Sequence, residues 1–203
     1  MRFSKVVSVV ISLAGLAIFA TPACSSDSPS TPRVSLSSFL GAGNQKGIND
    51  STICKLASKS TWILIGDPTT TTSVFDGDKD SATGNTVNVT CSVIAAGDGF
   101  DVKASAKLGV QGAVTITGHF VGNTPAVTAD TPMTNIAVDF SRADTGTFAE
   151  STCTATYTSN NTYEGVAAGR VWADVECPTA TNNSQGATCD GSATFKFENC
   201  ATQ

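Results

Sequence analysis

The sequence predicts an all-β fold, an antiparallel β-sandwich or strongly curved sheet of about nine strands with one short helix near its start, stapled by disulfides. Three observations carry the prediction. Apolar and polar residues alternate strictly through much of the chain, interrupted by turns rich in Gly, Asn and Asp, which is the period of half-buried strands in tight succession. No strand–helix–strand alternation is present, which argues against a parallel sheet. Charged residues make up only 14% of the chain against 40% hydrophobic, with Val, Thr and Gly abundant, a composition that folds around a core built from strands.

Taken in order, the chain opens with Arg2 and Lys5, then an apolar run from Val6 to Ala20 broken only by Ser8, Ser12 and Gly15, then small residues and Pro22. This is the layout of a bacterial export signal, and the run is shorter than the roughly 20 residues a membrane-spanning helix needs. Ala23-Cys24-Ser25-Ser26-Asp27-Ser28 follows. It resembles the junction of bacterial lipoproteins, in which a small residue precedes a cysteine that is diacylated and becomes the new amino terminus. The resemblance implies a lipid on Cys24, a membrane as partner, and the bacterial envelope (outer membrane or cell surface) as location. Thr21 stands where that junction usually has an apolar residue, and cleavage after Ala20 or Ala23, releasing a soluble secreted or periplasmic protein, is the alternative. Ser25 to Ser38 is rich in Ser and Pro and reads as a flexible tether. The expected organisation is a signal peptide over 1–23, lipidated Cys24 and tether over 24–38, and a single β domain over 39–203.

Within that domain Asp50 to Ala57 reads as a short helix capped by Asp50. Thr61-Trp62-Ile63-Leu64-Ile65 is a compact apolar run stopped by Gly66-Asp67-Pro68, a buried strand. From Thr86 the inward set is Val87, Val89, Cys91 and Val93; after Ala96-Gly97-Asp98-Gly99 it continues as Phe100, Val102, Ala104, Ala106 and Leu108, which predicts a hairpin. Gly112 to Val121 presents Val114, Ile116, Gly118 and Phe120 inward, and Ile136, Val138 and Phe140 mark the next strand. Phe148 to Thr158, Gly165 to Cys177 and Gly191 to Asn199 complete the set, with Pro178 to Thr188 read as a polar loop.

Seven cysteines stand at 24, 54, 91, 153, 177, 189 and 200. An odd number in an exported chain leaves one to explain; with Cys24 lipidated, the other six can close three disulfides in an oxidising compartment. There is no C-x-x-C pair, so zinc-ribbon and thioredoxin-like readings lack their ligand spacing. Folding the last two strands about Asn183 sets Cys177 opposite Cys189, the pairing the pattern favours. For Cys54, Cys91, Cys153 and Cys200 three combinations stay open, with Cys54–Cys91 and Cys153–Cys200 preferred.

No reaction centre emerges, and no cofactor is expected. His119 is the sole histidine; it lies on the outward parity of its strand, with no G-x-S-x-G elbow to supply a nucleophile. Asp76, Asp78 and Asp80 alternate like the start of a calcium loop, but Ser81 and Val87 stand where an EF-hand needs Gly and Glu. They are weak metal candidates, the alternative being a charged hairpin turn. Trp172, outward among Arg170, Asp174 and Glu176, and Tyr163 in the preceding turn are candidate contacts for a glycan or protein partner, but large aromatics usually bury most of their area, so cover of Trp172 by the early helix or a second sheet is the favoured reading. Without Arg2 and Lys5, ten basic residues face 17 acidic ones, a balance that argues against nucleic acid. The Cys24 junction, the Ser/Pro spacer and strands ending in cysteine (VNVTCSV, ATFKFENC) are together loosely similar to the mycobacterial lipoprotein-antigen family, a resemblance of leader and style that carries no activity or ligand across. The expected function is that of a non-catalytic, envelope-anchored lipoprotein presenting a β domain. The alternatives are a binding module for a glycan or apolar ligand, and a secreted hydrolase using His119.

Overall fold

The computed structural model describes residues 30–43, 51–56, 58–70, 72–122, 131–158 and 164–203. Its elements are β1 (Arg33–Gly41), one helical turn α1 (Ser51–Cys54), β2 (Ser60–Ile65), β3 (Val74–Phe75), β4 (Val87–Ala96), β5 (Gly99–Leu108) and β6 (Gly112–Val121). After them come β7 (Met133–Arg142), β8 (Gly146–Thr156), β9 (Gly165–Ala167), β10 (Arg170–Asn182) and β11 (Ala187–Glu198). Nine of the strands form one antiparallel sheet in the order β2-β1-β11-β10-β8-β7-β6-β5-β4, with β3 paired to β1 and β9 to β10. The sheet curls into a half-barrel, so the curved-sheet form of the expected fold is the one adopted. The expected short helix is the single turn α1; its cap, Asp50, lies outside the described residues.

Contacts between strands that are not neighbours show the curl. Phe120 on β6 meets Phe195 on β11 edge-on, with centroids 6.2 Å apart, and Trp62 on β2 meets Phe148 on β8 in the same way. A methyl group added at Gly191 on β11 would stand 2.7 Å from Phe140 Cε2 and 3.2 Å from Leu40 Cδ1. Alternation explains why these rings converge: Val114, Ile116 and Phe120, or Ala193, Phe195 and Phe197, share one face and are all buried, as the two-residue period requires. The β4–β5 hairpin pairs without a slip from Val87↔Leu108 to Ala96↔Gly99. Gly97 has φ +56° at the first central position of that two-residue turn, a conformation open to glycine without steric cost.

Four expectations are corrected. The tether does not reach Ser38, because β1 begins at Arg33 and is an inner strand between β2 and β11. Val34 and Leu36 are buried in it, and so are Ser35 and Ser38, small enough to be covered; Ser38 Oγ also bonds the Ile63 backbone across a bulge. Gly165 to Cys177 is not one strand, since a turn at Ala168-Gly169, with Gly169 at φ +76°, divides β9 from β10. Pro178 to Thr188 is not a loop either, because β10 continues to Asn182 and turns through 183–186.

The disulfides are Cys54–Cys189, Cys91–Cys200 and Cys153–Cys177, in place of Cys177–Cys189, Cys54–Cys91 and Cys153–Cys200. A bulge at Pro178-Thr179, where proline's missing N–H is tolerated, shifts the β10–β11 register, so Cys177 faces Gly191 while Cys189 faces Ala180. On its other side β10 pairs Val175 with Ala155 and Glu176 with Thr154; continuing that register brings Cys177 to Cys153. Cys189 instead ties β11 to α1, and Cys91 on the edge strand ties to the chain's end.

Backbone groups on both sheet edges are engaged by other parts of the chain, which blunts edges that otherwise invite pairing with other chains. On β2, the Arg142 guanidinium lies 4.1 Å from the Trp62 ring centroid and donates to the Thr61 and Trp62 carbonyls. On β4, Val87 pairs with Gly77 and Asp78, Asp76 accepts from Val89 N–H at 2.7 Å, and the carboxyl-terminal tail takes Cys91 and Val93.

Candidate functional site

The antiparallel order puts the start of β1, the end of β11 and the starts of β5 and β10 at one end of the half-barrel. β1 starts there and β11 ends there. Asn199 Nδ2 donates to Thr31 O at 3.0 Å, Cys200 N–H to Gly169 O at 2.9 Å and Ala201 N–H to Cys91 O at 3.0 Å, while Val93 N–H donates to Ala201 O at 2.8 Å. Between these segments lies an open cleft of about 990 Å³. Ser30, Cys91, Gly169, Arg170, Glu198 and Cys200 are among its walls.

Glu198 is held by Arg33 Nε at 2.9 Å and Lys196 Nζ at 3.0 Å. Burial alone would raise its carboxyl, but the hydrogen bonds and charges of Lys196 and Arg33 prevail and hold it below the ordinary range. Lys196 also lies 5.3 Å from the centroid of the Trp172 ring. Trp172 is on the face opposite Val171 and Ala173, is only 7% exposed, and lines neither the cleft nor the smaller cavity described below. Tyr163 and Cys24 lie outside the described residues.

At the same end His119 is clamped by two carboxylates, Asp101 to Nδ1 and Asp98 to Nε2, each at 3.0 Å. Asp101 is its cross-strand partner and Asp98 belongs to the β4–β5 turn. Hydrogen bonds from Asp101 and then Asp98 raise the imidazole above its ordinary 6.5, and the His119 bond lowers Asp98. With a carboxylate on each ring nitrogen, the imidazole is not paired with a hydroxyl or thiol in the manner of an activated nucleophile.

The aspartates at 76, 78 and 80 serve the turn entering β4. Asp76 bonds Val89 N–H, and Asp80, 3% exposed, accepts from both Thr83 N and Thr83 Oγ1 at 2.9 Å. These are the local side-chain to backbone bonds that make Asp a turn residue. Among the described residues the one group of metal-ligating atoms drawn together is Glu150, Cys153 and Cys177, and its two sulfurs are bonded to each other. Glu150 is occupied by Thr179 N–H at 2.7 Å and by the hydroxyls of Thr179 and Thr152.

The opposite end carries α1 and the turns at 109–111, 143–145 and 183–186. Val110 there is 86% exposed beside a cavity of about 300 Å³ that it shares with Gln111, Arg142, Ala143 and Asp144. The cleft and the edge-covering tail had no signal in the sequence, because both bring together segments far apart in the chain, Asn199 with Thr31 and Cys200 and Ala201 with Gly169 and Cys91. Compared with protein-family models, curated proteins and solved structures, the chain matches none.

Proposed function

We propose that this chain is an exported bacterial lipoprotein, anchored through an acylated Cys24, whose β domain works by presenting a surface and not by catalysis. The observation that carries the reading is cysteine pairing. Six cysteines close three long-range disulfides, which form and persist in oxidising compartments, and the seventh stands in the lipoprotein-like junction. Eight residues separate Cys24 from Arg33, a reach of at most about 32 Å when fully extended. The cleft end therefore stays near the membrane, and the Val110 end is the one offered outward.

His119 is taken up by Asp101 and Asp98, and Asp76 and Asp80 by their own turn and the β4 backbone, so these sequence candidates serve local structure. The test is labelling with radioactive palmitate in a bacterial host, with and without globomycin, for the wild type and Cys24→Ala. Label and membrane association in the wild type alone are expected. A soluble wild-type product cleaved after Ala20 or Ala23, without acyl mass, would refute anchoring. A second reading, binding of a glycan or apolar ligand, rests on the cleft in place of Trp172, and a glycan array probed with the purified domain addresses it.

A further inference from the structure

We infer that the Cys91–Cys200 disulfide is a redox latch, whose opening by an external dithiol releases the carboxyl-terminal tail and uncovers the edge of β4. The inference does not depend on acylation of Cys24. Cys54, Cys189, Cys153 and Cys177 are completely buried, whereas Cys91 is half-buried and both Cys91 and Cys200 line the open cleft. A thiolate must reach a sulfur to exchange with it, so this bridge alone is open to attack without unfolding the sheet. The residues that follow the bridge, Ala201, Thr202 and Gln203, are exposed. Beyond the disulfide, the backbone bonds Cys200 N–H to Gly169 O, Ala201 N–H to Cys91 O and Val93 N–H to Ala201 O tie the tail down. Segments secured by a few solvent-facing backbone bonds open locally at low cost, and the cross-link is what keeps this one in place.

The step balances as ordinary exchange. One thiolate of the dithiol attacks a sulfur of the bridge to form a mixed disulfide, and the other cysteine leaves as a thiolate that takes up a proton. The reductant's second thiolate then breaks the mixed disulfide. The protein gains two electrons and two protons, and the dithiol leaves as its own disulfide. Released, the tail withdraws from Cys91 O and Val93 N–H, which become unpaired edge groups, and one wall of the cleft is lost with it.

The test uses the purified mature protein with its disulfides intact. Graded dithiothreitol is applied under native conditions, free thiols are trapped by alkylation, and peptides are mapped by mass. Cys91 and Cys200 are expected to become alkylated on the order of tenfold sooner than the other four, with Val93 and Ala201 amides losing exchange protection while those of β5 and β6 keep theirs. The double variant C91S/C200S supplies the open state without reductant and shows the same loss. Simultaneous opening of all three bridges would overturn the inference, as would selective opening of Cys91–Cys200 that leaves Val93 protected.

Discussion

Gly191→Ala tests the curl of the sheet at a close cross-barrel contact. The glycine sits on β11 between Leu40 of β1 and Cys177 of β10, and its missing side chain leaves room for the Phe140 ring of β7. A new methyl would lie 2.7 Å from Phe140 Cε2 and 2.9 Å from Cζ, so the ring must retreat by about 0.8 Å to reach ordinary contact. Phe140 is fully buried and Leu40 only 1% exposed, leaving little space for that retreat. Overpacking of this kind costs about 1–3 kcal/mol. Restricting the unfolded chain by replacing glycine returns about 0.4–1 kcal/mol, which offsets only part. The middle of each range gives a net loss of about 1.3 kcal/mol, so the midpoint of thermal unfolding should fall by roughly 3–5 °C for a domain of this size, measured by near-ultraviolet circular dichroism with disulfides intact. Gly122→Ala is the control, because nothing lies within 4 Å of its added methyl; it should stay within about 0.5 kcal/mol of the wild type. If G191A unfolds at the wild-type temperature while G122A behaves as stated, Phe140 does not pack across the barrel and the curl is wrong.

Other expectations follow from single contacts. Ser35 Oγ is buried with no hydrogen-bond partner among the described residues, so Ser35→Ala should stabilise by about 1 kcal/mol in a urea titration. Arg142→Ala strips the cover from the β2 edge and should cost about 1–3 kcal/mol, read in the same titration. Removing the buried Cys54–Cys189 bridge by C54S/C189S reopens a loop spanning 135 residues and should cost about 2–5 kcal/mol. His119 should titrate above 6.5 by NMR, moving down in D101N and D98N. Because its folded value is raised, whatever stability it lends is fully present below 6.5 and disappears as pH climbs through that higher folded value; a midpoint at or below 6.5 would contradict the clamp.

Strands that cover the core on one face were legible because one face in two carries the apolar residues. Gly112 to Val121 starts and stops as its alternation indicates, and the β4–β5 hairpin keeps the expected inward set. β1 was hidden for a physical reason: its serines at 35 and 38 are buried although polar, and its pairing partner β11 is more than 140 residues away. Composition alone cannot separate such a strand from a Ser-rich tether. The disulfides failed through parity. A local bulge at Pro178-Thr179 and a turn centred later than Asn183 change which cysteine faces which, and neither leaves a strong mark in the sequence. The burial of Trp172 follows the usual fate of a large aromatic, whereas the clamping of His119 depends on a neighbouring strand and a turn, and the closing tail on segments near 91 and 169, which come together only in the assembled sheet.

Peptide mapping of the native protein without reduction reads out the three long-range bridges that lock the curled antiparallel sheet. Crosslinked peptides joining Cys54 to Cys189, Cys91 to Cys200 and Cys153 to Cys177 are expected. Recovery of a peptide joining Cys177 to Cys189, or of free thiols among these six, would contradict that pairing.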